Sequence, residues 1–269
     1  MYAAIVIPAR YDSKRFPGKP LANILGKSLL ERTWRIACDV ENVDSVIIAT
    51  DDERIVEHAI TFGAKVQMTD SNWSNGSERI LQALQLQKLS PDIVINLQGD
   101  AVLTPPFVIS ALLKAFSMDE NKKYAVATPC VQLTKSQYIQ MQKNKNEGIT
   151  SGTFVTFDQQ NKALYFSRSI IPSLRDDKTN NSGLVPIYRH IGLYAYRLQA
   201  LKDYVRLAPT ALELAEGLEQ LRILENGIPI KVVSVDYNGR THWSVDHPED
   251  IAIVESIIKK EGELVKITA

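Results

Sequence analysis

Short runs of apolar, often β-branched residues alternate with longer amphipathic segments through the first half of the chain. Runs of the first kind indicate buried strands, and apolar positions at helical spacing indicate helices with one buried face. Ser77 is the expected N-terminal cap of the third helix. The alternation predicts an α/β fold with a parallel sheet covered on both faces. Strands are predicted at residues 4–7, 46–49, 65–68 and 93–97, and helices at 28–40, 51 or 52 to 62, 77–88 and from 105 onwards.

The pattern changes after about Thr128. Residues 132–148 are polar with little periodicity, and 175–183 is expected to be a mobile polar loop. One helix is predicted at 213–225, and its leucines at 214, 218, 221 and 224 mark the buried side. We expect a single domain over 1–269, with a smaller β-containing subdomain, about 130–212, inserted into the α/β core. Paired strands are also predicted at 153–157 and 163–167, strands at 192–196 and 230–235, and a helix at 248–260.

Composition and charge narrow the function classes. The 269 residues include 31 Lys and Arg and 31 Asp and Glu, so the formal net charge is zero. This balance argues against a general nucleic-acid or membrane-surface protein. No apolar run is long enough to span a membrane, and no secretion signal is recognisable, so we expect a cytoplasmic protein. The two cysteines are far apart and form neither a disulfide framework nor a metal-binding ladder.

Four cationic residues, Arg10, Lys14, Arg15 and Lys19, lie on the short segment after the first predicted strand. Loops at strand ends hold ligands in open α/β sheets, and arginine can donate two hydrogen bonds to phosphate. The segment has neither a Walker loop nor a dinucleotide fingerprint, so side chains and loop amides would hold the phosphates. The competing interpretation is a solvated loop with incidental charges. The density of charge favours a polyanion such as a nucleoside triphosphate.

Two aspartates are candidate ligands of a divalent cation. Asp100 ends the run Asn96-Leu-Gln-Gly-Asp100, and Asp246 lies in Ser244-Val-Asp-His-Pro248. Magnesium typically takes one or two carboxylates together with substrate phosphates. A turn role for Asp100 and a helix cap for Asp246 are the competing interpretations. Residues 72–79 form a small polar loop that suits a nucleobase or phosphate, and helix capping explains the same residues equally well.

Several longer motifs follow one another along nearly the whole chain. They are Ile7-Pro-Ala-Arg-Tyr-x-Ser-x-Arg-x-Pro-Gly-Lys-Pro-Leu21, Ala49-Thr-Asp51, Gly76-Ser-Glu-Arg79, Asn96-x-Gln-Gly-Asp100, Ala163-Leu-Tyr-Phe-Ser-Arg168, His190-x-Gly192, Leu218-Glu-Gln-Leu-Arg222 and Val245-Asp-x-Pro-Glu-Asp250. With these motifs in this order, the chain resembles the 3-deoxy-manno-octulosonate cytidylyltransferases, also called CMP-Kdo synthetases. The runs at 163–168 and 218–222 are the most specific to that family.

The resemblance implies a three-layer α/β/α, Rossmann-like fold of the nucleotide-diphospho-sugar transferase kind, with a mixed sheet. It implies that the anomeric hydroxyl of an eight-carbon 2-keto sugar acid attacks the α-phosphorus of CTP and releases pyrophosphate, with no covalent enzyme intermediate. It further implies Mg²⁺ as the cofactor, a homodimer, a sugar-binding and dimerisation role for the inserted subdomain, and a product used for lipopolysaccharide or surface-polysaccharide synthesis.

The resemblance also implies roles for individual residues. The implied catalytic residues are Arg10, Arg15, Lys19, Asp100 and Asp246, of which Asp100 and Asp246 hold the metal. The implied nucleotide-binding residues are Ala9, Arg10, Arg15, Lys19, Thr50, Asp51, Asn75, Gly76, Ser77, Arg79 and Gln98. The implied sugar-binding residues are Tyr165, Arg168, His190, Tyr194, Glu216 and Gln220.

Departures from the family pattern leave the sugar open. The usual Gly-Asp-Glu-Pro or Gly-Asp-Gln-Pro is here Gly99-Asp-Ala-Val102, and Val-Asp-Thr-Pro is Val245-Asp-His-Pro248. Trp73 and Asn75 replace a histidine and a serine, and residues 148–152 replace an Asn-x-Val-Lys run. Kdo, its 8-amino analogue and another 2-keto acid such as a sialate all stay open as acceptors. The sequence is also compatible with a sugar-1-phosphate nucleotidyltransferase and with a non-catalytic nucleotide-binding homologue.

Overall fold

The computed structural model of the protein describes residues 1–13, 15–73, 75–119, 121–148, 152–175 and 183–266. The chain divides into two compact units. The first contains residues 1–113, 193–205 and 237–269, and the second contains 114–192 and 206–236. Of the segment expected to be inserted, 193–205 therefore belongs to the first unit and the remainder to the second. Apart from its two ends, the expected mobile loop at 175–183 lies outside the described residues.

The secondary structure alternates along the first unit and is richer in strands in the second. The strands are β1 (Ala3–Ala9), β2 (Asn23–Ile24), β3 (Lys27–Ser28), β4 (Ser45–Thr50), β5 (Lys65–Met68), β6 (Ile93–Asn96), β7 (Val126–Thr134), β8 (Thr153–Phe157), β9 (Ala163–Ser167), β10 (Leu184–His190), β11 (Tyr194–Arg197) and β12 (Ile230–Ser234). The helices are α1 (Leu29–Cys38), α2 (Glu53–Thr61), α3 (Gly76–Leu86), α4 (Pro106–Ser117), α5 (Lys135–Asn146), α6 (Leu198–Tyr204), α7 (Ala211–Glu216), α8 (Gln220–Glu225) and α9 (Asp250–Glu261). Within the described residues, no helix has both the length and the apolar character needed to cross a membrane.

The first unit is built on a mostly parallel arrangement of strands. They lie in the order β5-β4-β1-β6-β11. β1 is parallel to β4 and β6, and β4 is parallel to β5, whereas β11 is antiparallel to β6. The central strands β1 and β6 are buried along nearly their whole length. The predicted parallel sheet is confirmed, and β11 makes it mixed.

The first unit also contains an apolar cluster formed by residues outside the central strands. It contains Val102 and Leu103, which follow β6, and Val245, which precedes α9. Its buried part is completed by Ile24, Leu29, Val254 and Ile258. The cluster thus joins the segments that carry the two candidate metal ligands. Val102, which stands where the related family has proline, belongs to this core.

The helix caps of the first unit follow from short polar side chains. Ser28 accepts a hydrogen bond from the Glu31 amide at the start of α1, and Asp52 caps α2 in the same way. The prediction that Ser77 caps α3 is wrong. Asn75 is the cap, because Glu78 lies three residues later and completes a capping box with it. Ser77 instead lies inside the first turn and is buried.

The strands of the second unit lie in the order β12-β7-β10-β8-β9. The predicted pairing of β8 with β9 is confirmed and is antiparallel, whereas β12 is parallel to β7. Buried side chains from β7, β8 and β10, among them Phe154 and Ile187, form the apolar centre of this unit. Helix α5 occupies part of the polar segment that showed no periodicity, and none of its side chains is fully buried.

The single helix predicted at 213–225 is wrong, because two short helices, α7 and α8, occupy this segment. Gly217 ends α7 in the left-handed region, with φ of 62°, and its amide donates to the Glu213 carbonyl. Leu218 and Leu221 are buried as expected, but Leu214 is 72% exposed. The two helices are joined by a largely buried ion pair, in which Arg222 donates to both carboxylate oxygens of Glu213 at 2.5 and 2.7 Å.

The Glu213–Arg222 pair gives a stability prediction. We expect Glu213→Ala to destabilise the protein by roughly 3 kcal/mol, because it leaves the Arg222 guanidinium buried without its counter-ion. Burial alone would raise the pKa of Glu213, but hydrogen bonds from Arg222 and the Thr210 amide, and the Arg222 charge, lower it. The stabilisation is therefore present at neutral pH and is lost as the pH falls below the ordinary glutamate pKa of 4.5.

Thermal and urea unfolding measured from pH 7 down to pH 3, well below the ordinary glutamate pKa, follow this effect. Leu214→Ala, which truncates an exposed side chain one position along the same helix, is the matched control and should change stability little. Equal losses in the two variants, or a loss in Glu213→Ala that does not shrink at low pH, would contradict the assignment.

Candidate functional site

The basic loop after β1 is closed by its own backbone. The Tyr11 carbonyl accepts hydrogen bonds from the amides of Ser13 and Gly18, at 3.0 and 2.8 Å. Gly18 has φ of 73°, a left-handed conformation that favours glycine, and it precedes a short 3₁₀ turn at Lys19–Leu21. Lys19, the first residue of this turn, contacts Asp100, which follows β6.

Lys19 joins three segments that are far apart in sequence. Its ammonium donates to Asp100 Oδ2 at 2.8 Å and to the Val245 carbonyl at 3.0 Å. The Lys19 and Asp100 side chains are only 18% and 26% exposed, so water screens this pair less than a surface pair. The link places the loop after β1, the loop after β6 and the residue next to Asp246 around one cation.

Asp246 forms the second ion pair of the site. Its Oδ1 accepts from Arg15 at 2.7 Å, and both side chains are substantially exposed. The role of Asp246 as a helix cap is not observed, since α9 begins at Asp250 with Glu249 as its capping residue. Sequence reasoning therefore placed Arg15, Lys19, Asp100 and Asp246 correctly in one neighbourhood.

Asp250 orients the Asp246 segment and has no assigned role in the sequence-based prediction. Its Oδ2 accepts from the amides of Asp246 and His247, both at 2.8 Å, and its Oδ1 accepts from Trp243 Nε1 at 3.0 Å. Burial alone would raise the pKa of Asp250, but these hydrogen bonds lower it, so the carboxylate stays ionised. The signal that could have found it is its position as the last residue of the run Val245-Asp-x-Pro-Glu-Asp250.

A cavity of about 260 Å³ lies beside Lys19 in the first unit. Two glycines shape it. A Cβ on Gly76 would lie 3.2 Å from Pro8 Cγ, and one on Gly99 would lie 3.2 Å from the Pro8 carbonyl oxygen. The N-terminus of α3 and the loop after β6 thus approach the end of β1 closely. The sequence-predicted residues that line the cavity are Ala9, Arg10, Lys19, Asn75, Gly76, Arg79, Gln98 and Asp100.

Two guanidinium groups in this cavity have buried nitrogens without hydrogen-bond partners among the described residues. They are Arg10, through one terminal nitrogen, and Arg79, through Nε. Arg79 is fully buried and is held by Asp51 at 2.7 Å and by the Thr69 hydroxyl at 2.6 Å. Burial lowers the pKa of Arg79, the Asp51 carboxylate raises it, and the nearby Arg10 charge lowers it. Buried donors that no protein group satisfies fit an anionic ligand.

Arg15, paired with Asp246, does not line the cavity, and three further predicted nucleotide-binding residues lie behind its wall. Asp51 holds Arg79, and the Thr50 carbonyl accepts from the Thr69 amide and hydroxyl at 2.7 and 3.0 Å. Ser77 is fully buried, and its hydroxyl accepts from Asn96 Nδ2 at 3.5 Å. Thr50, Asp51 and Ser77 therefore support the wall and do not line it.

In the second unit, Glu216 accepts hydrogen bonds from two other predicted sugar-binding residues, Tyr165 and Arg168. Its carboxylate accepts from the Arg168 amide at 2.9 Å, from the Ser167 hydroxyl at 2.7 Å and from the Tyr165 hydroxyl at 3.5 Å. The Arg168 side chain donates to the carbonyls of Glu216 and Gly217, at 2.5 and 3.1 Å. A Cβ on Gly217 would lie 3.3 Å from a terminal nitrogen of Arg168, so the absence of a side chain there makes room for this arrangement.

His190, Gln220 and Tyr194 are all buried. His190 Nε2 lies 2.8 Å from the Thr128 hydroxyl, and burial lowers its pKa to about 3, so the ring is neutral at pH 7. Gln220 is 3% exposed, and its Nε2 finds no hydrogen-bond partner among the described residues. Tyr194 lies in β11 of the first unit with its ring centroid 6.0 Å from that of Tyr196, so it is not grouped with the other five in the second unit.

The two carboxylates near Lys19 suit a magnesium ion whose remaining ligands are phosphate oxygens of the substrate. Asp100 and Asp246 supply hard carboxylate oxygens, and each has one oxygen engaged by a cation. Across the described parts of the chain, no group of three or more His, Cys, Asp or Glu residues could hold a metal ion by itself. Two carboxylates plus phosphate oxygens match the coordination that Mg²⁺ prefers over a cage made only of protein groups.

Comparison with known proteins agrees with this chemistry. A family model for cytidylyltransferases matches residues 4–232. The 3-deoxy-manno-octulosonate cytidylyltransferase of Maricaulis maris (strain MCS10) is 49% identical over 265 residues, which cover 98% of this chain and 100% of that protein. The protein of the same name from Chlamydia abortus (strain DSM 27085 / S26/3) is 42% identical over 254 residues, which cover 94% of this chain and 92% of that protein.

A solved structure extends the likeness to three dimensions. It is a CMP:2-keto-3-deoxy-manno-octonic acid synthetase complexed with CTP, and it matches with a TM-score of 0.82 and 34% identity. The match covers 97% of this chain and 100% of that one. The expected α/β fold of the nucleotide-sugar transferase kind is confirmed.

The buried ring of His190 gives a spectroscopic prediction. Because its pKa is lowered to about 3, we expect its NMR signals to stay constant between pH 8 and pH 5. His190→Gln identifies the signals by their disappearance. An inflection near the ordinary histidine pKa of 6.5 would contradict a buried neutral ring. By linkage, the stability that this ring contributes is present above pH 6.5 and declines as the pH falls from there towards 3.

Proposed function

This chain belongs to the 3-deoxy-manno-octulosonate cytidylyltransferase family. We propose that its first unit binds CTP in the cavity beside Lys19 and that residues of its second unit bind the sugar acid. The chain is a CTP-dependent nucleotidyltransferase, and we infer that it joins CMP to 3-deoxy-manno-octulosonate (Kdo) or a close analogue for lipopolysaccharide or surface-polysaccharide synthesis. The observation that carries the assignment of the site is the convergence of Lys19, Asp100 and the Asp246 segment at the end of β1 and β6.

Side chains of the first unit are suited to hold the triphosphate. Arg10 and Arg79 present buried donors to the cavity, and Lys19 adds an ammonium beside them. Arg15 and Lys19 are paired with Asp246 and Asp100, and we infer that they exchange these carboxylates for phosphate oxygens when CTP binds. Their positive charge then stabilises the pyrophosphate as it leaves, after the anomeric hydroxyl has attacked the α-phosphorus.

Asp100 and Asp246 are the residues that would hold Mg²⁺. When bound, the ion supplies charge neutralisation on the triphosphate oxygens. Asp250 holds the Asp246 segment through two amide hydrogen bonds, and Lys19 ties the Val245 carbonyl to Asp100. These contacts hold the Asp100 carboxylate and the backbone at Asp246 in place before substrate arrives, so positioning and electrostatics can carry the catalysis.

The second unit offers groups of the right chemistry for a sugar acid. Arg168 is exposed and cationic, and its side chain is oriented by the carbonyls of Glu216 and Gly217. We assign it to the carboxylate of the acid, because arginine is the side chain best matched to that group. His190 is neutral and buried, so its part is limited to hydrogen bonding. Gln220 offers a buried amide donor without a partner in the described structure.

Two further properties are part of the proposal. We infer a cytoplasmic location because CTP is a cytosolic metabolite. We also infer a homodimer, which the family resemblance implies. The exposed leucines of α7, Leu212 and Leu214, are apolar residues on the surface of the second unit and are candidates for a contact with a second copy.

The test of the activity is pyrophosphate release from CTP and Mg²⁺ with each of three acceptors, Kdo, 8-amino-Kdo and sialic acid. We expect release with Kdo. Release of pyrophosphate only with 8-amino-Kdo or only with sialic acid would identify that compound as the acceptor in place of Kdo. Release with none of them, by a folded protein that binds CTP, would favour a non-catalytic homologue.

The metal assignment is tested by Asp100→Asn and Asp246→Asn. We expect each variant to lose activity by about a hundred-fold or more, because an amide is a poor magnesium ligand and the transition-state charge is no longer balanced. Asp203→Asn, which makes the same change on an exposed residue of α6, is the matched control and should keep full activity. Wild-type rates for both site variants at ordinary magnesium would show that the ligands lie elsewhere.

A further inference from the structure

The ring of Tyr11 has two close neighbours, Arg54 and Gly18. The guanidinium carbon of Arg54 lies 3.3 Å from the ring centroid, which is the distance of a stacked cation–π contact. A Cβ on Gly18 would lie 3.4 Å from Tyr11 Cζ and from the hydroxyl oxygen. The ring therefore contacts both an arginine from the start of α2 and the glycine that closes the basic loop.

Arg54 is held in place independently of Tyr11. Its Nε and a terminal nitrogen donate to the two carboxylate oxygens of Asp52, at 2.9 and 2.6 Å. Asp52 also caps α2 by accepting from the Arg54 amide at 3.0 Å. The side-chain hydrogen bond from Arg54 is the main cause of the lowered pKa of Asp52. The guanidinium plane is thus anchored to a helix end, and it does not move freely although its side chain is 56% exposed.

Tyr11 is the residue through which the basic loop is closed. Its carbonyl accepts from the amides of Ser13 and Gly18, and its chain neighbour is Arg10. Gly18 is followed at once by Lys19. A contact that fixes Tyr11 therefore fixes the two ends of the loop from which Arg10 and Lys19 extend into the cavity.

We propose that Arg54 is a positioning residue, whose stacking on Tyr11 holds the basic loop in the arrangement that binds the triphosphate of CTP. The proposal rests on the proposed function for the identity of the ligand. Arg54 is not among the residues that line the cavity, whereas its guanidinium is stacked on Tyr11, so its effect passes through Tyr11. Ordering the loop before CTP arrives removes part of the cost of ordering it on binding.

A double-mutant cycle on the full-length protein tests this coupling. The variants are Arg54→Ala, Tyr11→Leu and the double variant, and the readouts are the CTP dissociation constant by calorimetry with Mg²⁺, the KM for each substrate and kcat. We expect Arg54→Ala to weaken CTP binding by about two- to five-fold, the range of an exposed cation–π contact. The KM for Kdo and kcat should stay unchanged. In the Tyr11→Leu background, removal of Arg54 should have no further effect.

Controls separate the stack from net charge and from unfolding. Lys65→Ala removes one exposed positive charge from the same unit without touching the loop, and it should leave CTP binding unchanged. Tyr11→Phe keeps the ring and should bind CTP like the wild type. Thermal unfolding of each variant shows whether a loss of binding reflects a loss of folded protein.

Two outcomes would overturn the proposal. Unchanged CTP binding in Arg54→Ala would mean that the stack does not position the loop. An equal loss on removing Arg54 with and without Tyr11 would mean that its charge acts directly on the ligand. Absence of transfer to any acceptor by the wild type would sink the proposed function alone, because the cycle on CTP binding could still be measured.

Discussion

One ammonium group holds the candidate site together. Lys19 bonds to Asp100, 81 residues away, and to the carbonyl of Val245, 226 residues away. Because the pair is partly buried, water screens it less than a surface ion pair, and the loss of either partner would leave a charge in a poorly solvated place. Through this one cation, the basic loop, the loop after β6 and the segment before α9 are held at a common point.

Opposite charges balance the site before any ligand binds. Lys19 faces Asp100, Arg15 faces Asp246 and Arg79 faces Asp51. This explains how a chain of zero net charge can concentrate cations on one loop without strong self-repulsion. A metal–triphosphate complex also carries both signs of charge, so in the proposed function its binding would be an exchange of partners inside a prearranged framework. Large reorganisation of the loop is then unnecessary, which is the condition under which electrostatic catalysis is most effective.

Much of the fold and the site could be predicted from the sequence, and the failures have physical causes. Buried strands such as β1 and β6 are indicated by apolar runs, and the clustering of cations and aspartates at their ends follows from the parallel topology. Ser77 and Asn75 both belong to residue types that cap helices well, so propensity alone does not separate them. Glu78, three residues after Asn75, is what decides between them. Other features leave no trace in side-chain patterns. Helix α5 has no fully buried side chain, and every residue has a carbonyl like the one that Lys19 binds. The split between α7 and α8 occurs at Gly217, a residue type that can end a helix, but the helical spacing of the leucines on either side of it favours one continuous helix.

The apolar cluster that contains Val102 and Val245 has a consequence for ion selectivity. Val245 directly precedes Asp246, and Val102 follows Asp100 by two positions. Both aspartates are therefore close in sequence to residues of one packed core. Close-packed interiors are hard to compress, so if these aspartates hold the metal as proposed, the packing behind them would limit how far their backbones move apart to suit a larger ion. The packing of the hydrophobic core would then favour divalent cations of small ionic radius over larger ones.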